Sequence, residues 1–369
     1  MAHRRLKRKQ LTMSIKLPKS TPAATRARPL RVGFLPLTDA APLIVAERHG
    51  FFARHGLQVE LHREVGWATI REKIIYGELD ATQAPAPMLW ATQLGLGCAP
   101  CPVLTALVLN LHGNAITLSR ALWEAGVRHA AGLRDLIRTR PAGQLLTFGV
   151  VSLFSSHYLL LRDWLRGAGL NLEGDVRIVV VPPAQMFRNL AAGTIDGYCA
   201  GEPWNTLAVR EGAGWCPTWS AAQQPGQLEK VLMVTKHFAE KRPGEHAALV
   251  AALTEACAWC DEPQHREPLA QLLAEADYLN LAARVIAPAL TGRFDCGNGH
   301  MESTPDFHIF HHGDANVPAA AKATELQSAL IGAGLLTAAA APSELPEHLF
   351  REDLYRDALK TNQTHEVIS

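Results

Sequence analysis

The 369-residue chain lacks any run of 18 or more consecutive apolar residues, which excludes a membrane-spanning helix of ordinary length. Charged residues make up only 19% and aromatic residues 7%. The chain is nevertheless 48% hydrophobic, enough for buried cores, and its mean hydropathy is +0.00. That balance excludes a disordered or fibrous polymer. The cysteine count is seven, an odd number in a chain large enough to need no disulfide framework. No phosphate-binding glycine loop, nucleophile elbow or dinucleotide fingerprint occurs. A secretory signal is also missing from the start: the basic group Arg4 to Lys9 is followed by Gln10–Lys16 rather than by an apolar stretch. The Arg4-Arg5 pair has no apolar run behind it either, and Met13 is an alternative start. The expectation is a cytoplasmic protein, with no membrane partner.

What is present is unevenly charged. Residues 1–31 hold ten Lys or Arg and no acid, so the remainder has 26 basic against 35 acidic residues. A basic leader over 1–29 therefore precedes a mildly acidic body, which is not a direct nucleic-acid binder by charge. A length of 369 residues predicts about two domains. Leu30–Leu35, Leu57–Leu61 and Leu79–Thr82 read as strands, with helical spacing at 40–49 and 67–75 between them. A second α/β series follows: strands 145–150, 176–181 and 195–199, helices 157–168, 184–191 and 203–211. Alternation of this kind predicts mainly parallel sheets with crossover helices. From 245 onward the chain reads as helices (245–261, 264–274, 281–288, 320–332, 346–358), with Gly292–Pro318 as a long surface loop.

Two C-x-x-C pairs, Cys98/Cys101 and Cys257/Cys260, raise a four-cysteine zinc site. Their separation and the lack of knuckle residues favour reduced thiols instead. His308, His311 and His312, with Asp295, Asp306 and Asp314 nearby, raise a second metal reading. That spacing lacks the glutamate of a hydrolytic zinc motif. A structural or partner-contacting loop is favoured, and no metal and no cofactor are expected.

Six runs carry a family resemblance: GFLPLTDAAPL (Gly33–Leu43), GWATIREK (Gly66–Lys73), YGELDA (Tyr76–Ala81), LHGNAITLS (Leu111–Ser119), VPPAQM (Val181–Met186) and DGYCAGEPWN (Asp196–Asn205). In order and spacing they resemble the nitrate and bicarbonate solute-binding family of ABC importers over roughly residues 30–300. The resemblance implies an α/β, two-lobed type II periplasmic-binding-protein-like fold with the ligand cleft between the lobes. Lobe I is expected over 30–118 plus 235–369, and lobe II over 119–234. With no export signal, the chain is most similar to the cytoplasmic sensor branch of NasS type. That branch implies a nitrate/nitrite sensor holding a response-regulator-like, RNA-binding antiterminator of NasT type and releasing it on ligand binding. The alternatives are the substrate-binding component of a nitrate importer and an enzyme resembling thiamine-pyrimidine synthases; no enzymatic activity is expected.

Nitrate only accepts hydrogen bonds, so its pocket is expected to offer donors and one positive charge, with no carboxylate facing the oxygens. The resemblance places the ligand-binding positions at Trp67, Asn114, His157 and Lys230. Position 230 also sets selectivity: bicarbonate carries a hydroxyl, its binders have an acid there, and Lys230 therefore points to nitrate or nitrite. Read alone, Trp67 is a core residue, His157 a helix cap and Lys230 a solvated surface lysine. Gln185, Glu202 and Trp204 are expected to line the cleft wall or pack the lobes.

Overall fold

The computed structural model describes residues 28–141 and 143–366. The leader expected over 1–29 thus lies outside the described residues except for its last two. Arg28 of that pair forms a two-pronged ion pair with Asp80, at 2.7 and 2.6 Å.

Chain order explains the architecture. Strands β1 (Leu30–Phe34), β2 (Val59–Arg63), β3 (Ala81–Pro85) and β4 (Val103–His112) enter a first sheet. All ten residues of β4 are buried, as its apolar sequence demands of a strand covered on both faces. The chain then crosses over at Gly113 and builds a second sheet from β5 (Asn114–Ser119), β6 (Leu146–Val150), β7 (Val176–Val180), β8 (Gly197–Gly201) and β9 (Gly214–Trp219). It returns through β10 (Leu228–Thr235), which inserts between β4 and β3. The sheet orders are β13-β4-β10-β3-β1-β2 and β7-β6-β8-β5-β9, where β13 is His308–Ile309.

Two expectations need correction. The sheets are mixed: β1 pairs β2 and β3 in parallel, but β10 is antiparallel to both β3 and β4, and β5 is antiparallel to β8 and β9. Strands that carry the chain between lobes enter each sheet from the neighbouring lobe, not through a βαβ crossover. For the same reason the lobe boundaries expected at 118/119 and 234/235 are displaced by one strand each. β5 belongs to the second sheet and β10 to the first, so the changes of lobe fall at Gly113 and between residues 219 and 228.

The segment 292–318 is also not a surface loop. It contains the hairpin β11 (Arg293–Gly297) and β12 (His300–Ser303) and then β13 on the edge of the first sheet. Phe294, Phe307, His308 and Phe310 are fully buried. Asp261, at the end of the helix Pro243–Asp261, pins the segment by accepting from the Phe310, His311 and His312 backbone amides at 2.8–3.0 Å. The histidine run is thus held by protein groups: His311 meets Asn316 at 2.6 Å and His312 meets Asp261 at 2.7 Å. Among the described residues no helix is long and apolar enough to cross a membrane.

Candidate functional site

Trp67, Asn114, His157 and Lys230 converge where the two sheets meet, and all are at most 2% exposed. Trp67 opens the helix Trp67–Ile75 after an extended Gly66, so its ring leaves the first turn into the cleft. Asn114 is the first residue after the crossover glycine. His157 lies in the first turn of the helix Ser156–Gly167; the N-cap is Ser155, whose hydroxyl accepts from the Tyr158 amide at 3.3 Å. Lys230 is the third residue of β10.

Neighbouring residues of a regular strand point to opposite faces. Around 230 the register of β10 against β4 slips, and that bulge turns Glu229 and Lys230 toward the same cluster. Lys230 Nζ lies 2.7 Å from Asp39 Oδ2, donates to Glu229 Oε1, and is 5.5 Å from the centre of the Trp67 ring. Glu229 gathers the second lobe onto the first. Its carboxylate accepts from Asn114 Nδ2 at 2.5 Å, from the Ser156 hydroxyl and from Gln227 Nε2 at 3.4 Å, and it stands 3.7 Å from His157 Nε2. Gln83 donates to Asp39 Oδ1 at 2.5 Å.

The cluster therefore holds two carboxylates, Asp39 and Glu229, beside the donors and the one positive charge that were expected. Asp39 lies inside the GFLPLTDAAPL run and Glu229 directly precedes Lys230, so both were visible in the sequence. What hid them is the bulge and the turn after β1, which no pattern of hydrophobicity records. Ser156, Gln227 and Gln83 were not named as site residues, because a polar residue beside a helix start, in a loop or within a short buried strand carries no distinguishing signal.

Burial alone lowers the Lys230 pKa, but Asp39 and Glu229 overcome it and hold the ammonium above its ordinary value. Burial, reinforced by Lys230, keeps the His157 imidazole well below its usual range and therefore neutral. A neutral imidazole has one donor and one acceptor nitrogen.

Several polar atoms of the cluster have no hydrogen-bond partner: Trp67 Nε1, both His157 ring nitrogens, Thr38 Oγ1 and Asn114 Oδ1. Buried donors without partners are costly, and a group of them in one place marks a binding position. A Cβ on Gly201 would lie 3.5 Å from both Asn114 Oδ1 and Asp39 Oδ2, so glycine leaves that wall open. A cavity of about 120 Å³ lies against the cluster, lined by Ser156 and Gln227 and by Leu326 and Ala329 of the helix Ala320–Gly332.

The other three expected residues are placed differently. Glu202 is buried; its backbone carbonyl accepts from Thr38 N at 2.8 Å across the lobes, and one carboxylate oxygen accepts from Thr206 N at 3.2 Å. Burial pushes its pKa up to about 7. Trp204 is 7% exposed, with Nε1 unpartnered, and packs in the core that joins the lobes. Gln185 is exposed on the helix Pro183–Ala191, and it is the adjacent Met186 that packs inward.

Two α/β lobes that meet at a buried polar cluster make this a solute-binding protein of the periplasmic-binding-protein-like fold. The chain belongs to the NMT1-like family, whose model matches residues 23–274. It is similar to the crystal structure of the periplasmic nitrate-binding protein NrtA from Synechocystis PCC 6803, with a TM-score of 0.86 and 26% identity over 90% of this chain and 88% of that one. It is 30% identical to the nitrate/nitrite binding protein NrtA of Synechococcus elongatus, over 91% of this chain and 79% of that protein. To the bicarbonate transport ATP-binding protein CmpC of Synechocystis it is 44% identical over 68% of its length, but it spans only 38% of that relative.

Proposed function

We propose that the chain binds nitrate or nitrite in the closed cleft, as the solute-binding component of an anion importer. The observation that carries this reading is the group of unpartnered buried atoms, Trp67 Nε1 and the His157 nitrogens, beside the Lys230 ammonium. A flat trioxyanion of a few ångströms fills such a set: it accepts from the indole and imidazole N–H groups and lies next to the positive charge. The nitrate-binding relatives support the ligand, and the bicarbonate transport protein among the relatives supports a transport role over the regulatory one.

Glu229 favours a second ligand. An acceptor carboxylate within the cluster suits bicarbonate, which brings a hydroxyl proton, and a bicarbonate transport protein is among the relatives. Calorimetric titration of the full chain with nitrate, nitrite and bicarbonate separates the two. Saturable heat with nitrate or nitrite supports the first reading; heat with bicarbonate alone replaces it.

The sensor role, with an antiterminator as partner and a cytoplasmic location, rests on the sequence resemblance alone. It requires a complex with such a protein that dissociates as nitrate or nitrite is added. Size-exclusion chromatography of the co-expressed pair tests it, and co-elution unchanged at saturating ligand removes it.

A further inference from the structure

Charge within the cleft does not balance for a monoanion. Asp39 and Glu229 both contact the Lys230 ammonium. With both acids ionised the triad carries one net negative charge before any ligand enters, and all three side chains are fully buried. The groups facing Glu229 from the other elements add no positive charge. His157 on its helix is held neutral by burial and by Lys230. His112 on β4 is also lowered by burial; its ring bonds the Asp306 carbonyl at 2.8 Å and accepts from the Gly226 amide at 2.7 Å, which uses both nitrogens of a neutral imidazole. Cys199 on β8 is held as a thiol by burial, and His308 on β13 is held neutral. Arg266, a further cation on that side among the described residues, is committed to Asp261 at 2.5 Å. A second negative charge in this site would add like-charge repulsion to the cost of desolvating the anion.

We propose that the cleft takes up its anion together with one proton, carried by the Asp39–Lys230–Glu229 triad. This rests on the anion-binding reading above. The balance is simple: a site of charge minus one, a monoanion and a proton give a filled site that is still minus one. The protonated carboxyl becomes a donor toward the ligand, so the same proton that removes the repulsion supplies a hydrogen bond that nitrate can accept. Burial already pushes Asp39 toward its protonated form, against the pull of Lys230. The coupling also assigns Asp39 and Glu229 a role in selectivity: nitrate needs a proton from solvent, whereas an anion that carries its own does not.

The test is calorimetric titration of the full chain with sodium nitrate between about pH 6 and about pH 9, in buffers of low and high ionisation enthalpy. Linkage requires affinity to fall about tenfold per pH unit once the triad is deprotonated in the empty protein, and the buffer dependence should report uptake of about one proton. In Glu229→Gln, and independently in Asp39→Asn, the triad is neutral from the start, so uptake falls to near zero and the pH profile flattens. A purely structural role for either acid would change affinity without changing the proton count. Nitrate affinity that is independent of pH and buffer in the parent protein overturns the coupling and leaves the nitrate reading standing. No nitrate heat at any pH overturns both.

Discussion

Lys230 is not the solvated surface lysine that its residue type suggests: its side chain is fully buried. A buried ammonium held by two carboxylates is stabilised by them, and removing it leaves both acids buried and unpaired. Breaking such a pair from one side costs about 3–5 kcal/mol. Lys230→Met should therefore lower the urea midpoint strongly as well as abolish nitrate binding, and Lys230→Glu, which adds a third carboxylate, should fail to fold. A Lys230→Met protein of parent stability would show that the triad is not formed. Trp67 gives the cleaner probe of the ligand, because its Nε1 has no partner in the protein. Trp67→Phe keeps most of the ring and removes one charge-assisted donor, worth about 1.5–3 kcal/mol. Nitrate affinity should fall roughly 10- to 150-fold with little change in stability, as calorimetry and urea unfolding together would show. Glu202 adds a pH term. Its folded pKa, about 7, lies above the unfolded value, so the native state holds the proton more tightly. Its stabilising contribution is complete below about pH 4 and is lost as pH rises to about 7. Glu202→Gln should therefore gain stability relative to the parent at pH 8 and not at pH 4; equal midpoints at pH 8 would contradict the shift.

At the scale of elements, the crossover β4–Gly113–β5 decides whether the lobes meet correctly. Gly113 has a φ of +98°, a region that side chains rarely enter, and a Cβ there would lie 2.3 Å from the His308 ring. His308 is fully buried on β13 and stacks on Phe310 at a 6° interplanar angle, so it has nowhere to go. Gly113→Ala should cost at least about 1–3 kcal/mol from backbone strain alone. Gly113→Ala with His308→Ala should recover the clash but not the strain. A double-mutant cycle in urea measures the coupling, and simple additivity would remove the contact as the cause. The bulge in β10 is the other deciding element, since a regular strand would point Glu229 and Lys230 to opposite faces of the sheet.

Across the whole molecule, the closed arrangement is held by contacts that cross between lobes: Thr38 N to the Glu202 carbonyl at 2.8 Å, and the Asn114 and Ser156 bonds to Glu229. A ligand that completes the unpartnered donors binds only when both lobes are folded and closed. Nitrate at a hundredfold excess over Kd should then stabilise the native state by about 2.7 kcal/mol. The melting temperature should rise by several degrees in a single transition. Separate melting of the two lobes in saturating nitrate would show that the ligand does not bridge them.

Much of this was legible in the residues. The two α/β series read as period-2 strands and period-3.6 helices because local hydrophobic alternation reflects burial of one face, and the helices at 67–75 and 320–332 match the observed Trp67–Ile75 and Ala320–Gly332. The family resemblance likewise grouped Trp67, Asn114, His157 and Lys230, although only the first two lie in its matching runs. Hidden from the sequence were the features set by long-range pairing. The antiparallel strands β5 and β10 each move one lobe boundary by a strand. Burial of the 292–318 segment depends on Asp261, 31 residues before its first residue. Charge in the cleft depends on a register slip that sets Glu229 and Asp39 against Lys230. Residue type and spacing determine which elements form and which face each buries; only the tertiary structure decides which charges share a dry pocket, because that depends on groups brought within 3 Å from positions up to 191 apart in the chain.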